Sequence, residues 1–328
     1  MKPMPLASLS LDLDNKWTYM KVHGDAEWQS FPSYLGLVVP RVLDVLRQHN
    51  LQITFFIVGQ DAVLPENAEP LAAIAQAGHE IGNHSFSHEP WFHLYERARC
   101  EEEILRAEEH IERATGRRPI GFRGPGFSFS DALLRVLVER GYQYDASRFP
   151  TYLGPLARYY YFLHSGRMSH EQRKERSQLF GKFAEGLQSL HPSRLEATGG
   201  ELIEIPVTTM PVLKIPFHVS YILYLSTFSP TLALAYFRLC LVLCRITGTS
   251  PSLLLHPLDF LGGDDVSELS FFPAMKMPGQ RKTEIVMELL AIYRREFTVV
   301  PMHKHAAEAR AKLVNSGLLS STASAKAK

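Results

Sequence analysis

Asp12 and Asp14, His84 and His88, and His256 are the side chains of this chain best suited to chemistry. If Leu9 to Asp14 is a strand, residues two apart share a face, so Asp12 and Asp14 aim their carboxylates into one pocket. Two carboxylates held together repel unless a cation lies between them. His84 and His88, four apart, share a face of a helical turn or bracket a tight loop, and neutral imidazoles are ligands that borderline divalent metals accept. His256 closes an apolar run, Leu253 to Leu255, and is available as a proton donor. The chemistry these strings suggest is a metal site with its own base and acid. Alone, Asp12 and Asp14 would read as solvated turn acids; the histidines change that reading. His79, inside an apparent strand, is read as structural.

Such a set needs elements that carry its members to one end of a fold. Apolar, β-rich runs repeatedly precede helix-like ones, as in Leu51 to Val58 before Pro65 to Ala77, and Pro119 to Phe122 before Ser130 to Arg140. This alternation predicts an α/β fold with parallel strands. Further strands are expected at Leu6 to Leu13, His79 to Asn83, Tyr142 to Asp145, Leu202 to Val207, Ser252 to His256 and Phe297 to Pro301. Arg97 to Thr115, with Gly116 and Pro119 after it, carries a helix-and-stop signal. The polar residues fall at strand ends, and in α/β barrels the C-terminal strand ends build the active site. Thr151 to Gly200 shows no convincing strand and reads as helical. Ile215 to Ile246 is strongly apolar but interrupted by Pro216, Pro230, Arg238 and Arg245, which predicts a buried or peripheral helix rather than a membrane span. The expected organisation is one catalytic unit over residues 1–319, with an inserted helical, apolar segment at about 151–250, and a disordered tail at 320–328.

At 328 residues with 45% hydrophobic content the chain can bury a large core. Its 35 Lys and Arg nearly cancel 34 Asp and Glu, with no long single-sign run, so a small molecule or glycan is expected as partner and nucleic acid is not. The N-terminus lacks a secretory apolar stretch and is read as cytoplasmic. Three cysteines, Cys100, Cys240 and Cys244, describe no disulfide framework. Cys240 and Cys244 lie among leucines and valines and are read as core residues.

Taken with Gly78 to His84, Phe122-Arg123-Gly124-Pro125-Gly126-Phe127, Tyr144-Asp145-Ala146-Ser147 and Leu254-Leu255-His256, the aspartate and histidine strings resemble the polysaccharide deacetylases, the NodB-homology or carbohydrate esterase family four group. The motifs run in family order from about residue 9 to residue 260. The resemblance implies a deformed (β/α)7 barrel of the polysaccharide deacetylase type and metal-dependent hydrolysis of an N-acyl or O-acyl group. By it, Asp14, His84 and His88 hold the metal, zinc first, with iron, cobalt, nickel or manganese as alternatives. Asp12 is the general base and His256 the acid. Arg123 pairs with Asp12 and Asp145 does the same for His256; a backbone N–H near Gly126 and Phe127 helps to hold the oxyanion. Trp17 is either a sugar-stacking platform or a core wedge. Two departures stand out. Asp12-Leu13-Asp14 replaces the family's adjacent aspartates, as in a branch that includes deacylases of lipid-linked sugars and some cyclic-imide or ureide hydrolases. No tryptophan lies near Asp145, with Phe149 the nearest aromatic downstream.

The function expected is removal of an acyl group, first of all N-acetyl, from an amino sugar of a glycan, glycolipid or nucleotide-linked precursor. Two alternatives are an allantoinase-like or imidase-like amide hydrolase and a barrel that only binds glycan. Tyr159 to Phe162 and the apolar run after Ile215 either pack on the barrel or receive a lipid tail, with peripheral contact to a membrane as the further expectation.

Overall fold

The computed structural model describes residues 4–154 and 183–315; Tyr159 to Phe162 and the tail at 320–328 lie outside the described residues.

Strand β1 (Leu6–Leu13) shows how the fold arises from a two-residue period. Leu9, Leu11 and Leu13 join the large core cluster with the surrounding helices. The alternate residues, Ser8, Ser10 and Asp12, are buried as well and take polar partners: His305 Nδ1 for Ser8, and Arg123 for Ser10 and Asp12. A strand buried on both faces belongs to the interior of a parallel sheet. Fully burying each leucine contributes about 1.5–3 kcal/mol.

The other strands are β2 (Thr54–Ile57), β3 (Glu80–Asn83), β4 (Gly121–Phe122), β5 (Tyr144–Asp145), β6 (Ser193–Ala197), β7 (Gly200–Glu204), β8 (Ser252–Leu255) and β9 (Thr298–Val300). The sheet runs β6-β7-β5-β4-β3-β2-β1-β8, with β9 pairing on the start of β1. From β7 round to β8 every pairing is parallel. The sheet curls until Thr208, beyond β7, donates its N–H to Ser252 O at 3.1 Å, while Thr208 Oγ1 accepts from Ser252 N at 2.8 Å. This is the curled α/β barrel expected from the sequence, and each predicted strand region overlaps a strand, although β7 starts two residues before and ends three residues short of the expected Leu202 to Val207. The exception is β6, which lies in the stretch read as helical and pairs antiparallel with β7. Only Leu195 of its five residues is buried, so this edge strand offers no alternating apolar signal.

Among the described residues the helices are α1 (Lys16–His23), α2 (Leu35–Gln48), α3 (Ala68–Gln76), α4 (Arg97–Thr115), α5 (Asp131–Glu139), α6 (Val219–Ser226), α7 (Pro230–Thr247), α8 (Gly279–Glu296) and α9 (Met302–Asn315). α4 ends on Gly116 at φ +69°, as its sequence signal requires. Pro230 starts a helix instead of breaking one: it is the first residue of α7, behind a Ser229 side chain that accepts from Leu232 N.

Inside the barrel, Phe56, Tyr144 and Arg123 fill the space between strands. A Cβ at Gly82 would meet the Phe56 ring at 2.5 Å, and one at Gly121 would meet Tyr144 at 1.9 Å, so both positions need glycine. Met302, Ala306 and Ala309 of α9 pack with Phe56, Tyr144 and Ile203 and close the N-terminal end. The opposite, C-terminal end carries the candidate site. His79 is structural: it is buried, its Nδ1 accepts from Ile53 N, and burial lowers it to about 4. Cys240 and Cys244 are core residues whose thiols burial raises to about 12.

Candidate active site and metal centre

Asp14 lies one residue beyond β1, and its neighbour Asn15 caps α1. Asn15 Oδ1 accepts from Lys16 N and Tyr34 N, and its Nδ2 donates to Asp61 Oδ1 at 2.7 Å. Tyr34 Oη donates to the Asp14 carbonyl. The peptide presenting the carboxylate is therefore fixed from behind by residues that sequence reasoning missed, Asn15, Tyr34 and Asp61. Trp17 belongs to the same support. It is fully buried, donates from Nε1 to Asp61 Oδ1 at 2.8 Å and meets Phe31 edge-on. A ring with no exposed face cannot stack on a sugar, so Trp17 is the core wedge and not the platform.

His84 and His88 bracket a tight loop and not a helical turn. Ser85 at φ +62° and His88 at φ +49° lie in the left-handed region, which non-glycine residues adopt only when their surroundings hold them there. Asn83 Oδ1 accepts from Ser85 N, and buried Glu103 of α4 accepts from Phe86 N, Ser87 N and Ser87 Oγ. Glu103 is a second support that no motif signals, because on α4 it reads as one more surface acid.

The loop delivers both imidazoles to Asp14. His88 Nε2 is 3.0 Å and His84 Nε2 3.4 Å from Asp14 Oδ1. Against burial, which raises it, the two histidines hold the Asp14 carboxyl well below the usual carboxylate range. Burial likewise opposes the charge on His84, yet Asp12 and Asp14 raise it. His84 Nδ1 is 2.6 Å from the Arg123 carbonyl, an acceptor only, so Nδ1 carries the proton there and Nε2 is left with a lone pair when the ring is neutral. One ligand atom from each of Asp14, His84 and His88 lies within 4.8 Å of the others. Two imidazole nitrogens and a carboxylate oxygen, brought this close with one ring oriented by a backbone carbonyl, fit a divalent metal cation.

Asp12 takes a different partner. Arg123, fully buried at the end of β4, donates from Nη1 to Asp12 Oδ1 at 2.7 Å and from Nε to Ala146 O at 2.9 Å, with its guanidinium 4.4 Å from the Phe56 ring centroid. The expected Arg123–Asp12 pair is therefore formed. Asp145 does not partner His256. Its oxygens accept from Ser147 N and Ser147 Oγ, and Ser147 Oγ in turn accepts from Gly124 N at 2.8 Å. The physical reason is local: both Asp145 oxygens are taken up by Ser147, and β7, whose Glu204 pairs with Asp145, stands between β5 and the closure onto β8. Asp145 instead braces the loop after Arg123, and it abuts Glu204, its register partner on β7.

His256 follows β8, one residue past the Leu11–Leu255 pairing that sets it beside Asp12. Its Nδ1 is 3.0 Å from Ser220 Oγ at the start of α6, and its N–H donates to Asp259 Oδ2 at 2.8 Å. Asp259 also accepts from Ser220. Ser220 and Asp259 thus occupy the place that the sequence reading gave to Asp145. Gly126, at φ +58°, turns the chain after Arg123; the Phe127 N–H is spent on Gly124 O, which leaves Gly126 as the N–H donor of that pair outside the turn. Phe127 stacks on Phe149 with centroids 4.5 Å apart, and Phe149 meets His218, whose ring is 6.2 Å from His256. Burial, with a smaller push from His256, lowers His218 to about 3, so it stands in this wall as a neutral ring.

Comparisons with known proteins bear on the family and the fold. Residues 29–144 match the polysaccharide deacetylase family model, a stretch containing His84, His88, Arg123, Gly126 and Phe127. A peptidoglycan deacetylase from Helicobacter pylori is 33% identical over 110 residues, 33% of this chain and 36% of that protein. A peptidoglycan-N-acetylglucosamine deacetylase from Bacillus cereus is 34% identical over 108 residues, 32% of this chain and 47% of that protein. The alignments thus span between about a third and a half of these relatives' lengths. A solved structure from Mycobacterium smegmatis, described by the family name polysaccharide deacetylase, shares the fold with a TM-score of 0.59 at 20% identity, covering 95% of this chain and 96% of its own. The matched segment and the relatives support the polysaccharide deacetylase superfamily, the NodB-homology or carbohydrate esterase family four group, over about a third of the chain, and the solved structure shares the fold over most of its length.

Proposed function

We propose that this protein is a metal-dependent deacetylase that removes an N-acetyl group from an amino sugar carried by a glycan, glycolipid or nucleotide-linked precursor. The observation that carries the proposal is the convergence of Asp14, His84 and His88 beside an Asp12 carboxylate held by a buried arginine. The name of the Bacillus relative, a peptidoglycan-N-acetylglucosamine deacetylase, supports an amino-sugar substrate. Asp14, His84 and His88 would hold the cation. When bound, it supplies Lewis acidity to a carbonyl oxygen and acidity to water.

The remaining work falls to this chain's own residues. Asp12, with Oδ1 engaged by Arg123, takes the proton of the attacking water on its other oxygen. Arg123 holds that buried carboxylate in place through Oδ1. The Gly126 N–H is the donor assigned to the developing negative charge. His256, held at Nδ1 by Ser220, gives its proton from Nε2 to the departing nitrogen, so acetate and a free amine leave together.

The test is acetate release from short N-acetylglucosamine oligosaccharides by the zinc-loaded protein. Turnover is expected, with Asp12→Asn retaining one metal per chain and losing about 10²-fold or more in rate. Turnover of cyclic imides or ureides without any acetate release from sugars would overturn the proposal.

A further inference from the structure

Helix α7 carries two faces with different surroundings. Ala233, Phe237, Cys240, Leu241 and Cys244 are buried against the barrel and α8. Among the described residues, Leu232, Leu239, Val242 and Ile246 are exposed by 71, 50, 48 and 74%. With exposed Ala235 they repeat at alternating steps of three and four residues, one stripe along a helix. Phe228, 73% exposed between α6 and α7, lies four residues before Leu232. A continuous exposed apolar stripe marks an interaction site.

Charge selects the occupant. From Ile205 to Leu258 the sequence holds no Asp or Glu, and its cations are Lys214, Arg238 and Arg245. Arg238 and Arg245, seven apart, flank the stripe on the same side and are exposed. Arg245 and Arg295 line one cleft with Glu296 as its sole acid, and the Arg245–Glu296 pair at 2.6 Å leaves net positive charge there. A second copy packed antiparallel, stripe on stripe, would set these same-sign flanks against each other. An anionic bilayer takes the stripe among its acyl chains and the guanidinium groups at its headgroups. A membrane-spanning role does not fit, because the other face of α7 is protein core.

We propose that α7 docks this protein on an anionic lipid bilayer, lying in the interfacial plane with its inner face on the barrel. The docking rests on α7 itself; its consequence for the substrate rests on the deacetylase reading. α6 links the two, since Ser220 near its start touches His256 and its eight residues rise roughly 12 Å toward Phe228. The substrate inferred is an amino sugar borne by a lipid at that surface.

Co-sedimentation of the full chain with phosphatidylcholine vesicles, with and without phosphatidylglycerol, tests this. Binding is expected only with phosphatidylglycerol and weaker at high salt. Leu239→Glu with Ile246→Glu is expected to lower the affinity by about tenfold or more, and Arg238→Glu to lower it and flatten the salt dependence. An unchanged melting temperature identifies folded variants. Equal binding to both vesicle types, no binding, or binding unaffected by the folded double variant overturns the docking. So does a wild-type dimer that the double variant dissociates in the absence of lipid binding, since a second copy is then the occupant. Acetate release from soluble oligosaccharides is read in parallel. Docking without acetate release from either soluble oligosaccharides or an N-acetylated glycolipid in the vesicles sinks only the deacetylase reading, and turnover without docking sinks the bilayer contact and the lipid-borne substrate with it.

Discussion

In the proposed reaction His256 is the acid, and a partner at Nδ1 orients the ring so that Nε2 carries the proton to be given up. Ser220 Oγ is 3.0 Å from His256 Nδ1, and Asp259 accepts both from Ser220 and from the His256 backbone N–H. The serine is a positioning residue, so its removal should act on the rate rather than on binding. Ser220→Ala is expected to lower kcat about tenfold on amide substrates with KM nearly unchanged, and Ser220→Thr to recover most of it. An alanine variant as fast as wild type would remove Ser220 from this role. Nothing in the sequence pointed to it, since a serine in an apolar run 36 residues before His256 has no motif and meets the imidazole only across the fold. Trp17 teaches the reverse: its position after Asp14 suggested a sugar platform, but its indole N–H found Asp61 in the core.

Strands β5 and β7 meet through the directly paired residues Asp145 and Glu204. Burial first, and then the Asp145 charge, push the Glu204 carboxyl well above its usual 4.5, and burial raises Asp145 too. The native state therefore keeps a proton that the unfolded chain loses above pH 4.5. Stability from this pair is greatest below that value and declines as pH rises toward the raised native value. Glu204→Gln does not titrate and can donate to Asp145. Relative to wild type it is expected to be near neutral at pH 4 and to gain about 1.4 kcal/mol per pH unit at most between pH 4.5 and the native value. Thermal or urea unfolding at pH 4, 6 and 8 measures this, and a difference independent of pH would refute the shared proton. The strands themselves were legible from apolar runs bounded by turn residues. Their pairing was not, because a carboxyl on β5 gives no sign of its neighbour on β7, 59 residues later.

On the scale of the whole molecule, the cation would join β1 to the loop after β3 through Asp14, His84 and His88. A ligand bound only by the native state stabilises it, by about 2.7 kcal/mol at a hundredfold excess over Kd. Chelator is therefore expected to lower the melting temperature by on the order of 5 °C and zinc to restore it. Asp14→Asn should melt near the chelated value and respond to neither. A wild-type protein insensitive to chelator, with no metal bound after zinc loading, would reject the ligand assignment.

The sequence by itself determined the alternating α/β order and the strand ends that carry polar residues, since periodicity is a local property, and its resemblance to a family offered the metal-binding and base candidates. It also contained the Ser229-Pro230 start and Gly248 stop of α7, although the run was read as broken. Only the tertiary structure decided that Asp145 braces Ser147 and abuts Glu204 instead of serving His256, that Ser220 and Asp259 take that place, and that α7 leaves one apolar face exposed among the described residues. Those outcomes depend on which strands become neighbours when the sheet curls, and contacts between residues distant in sequence leave no mark in the spacing of either partner.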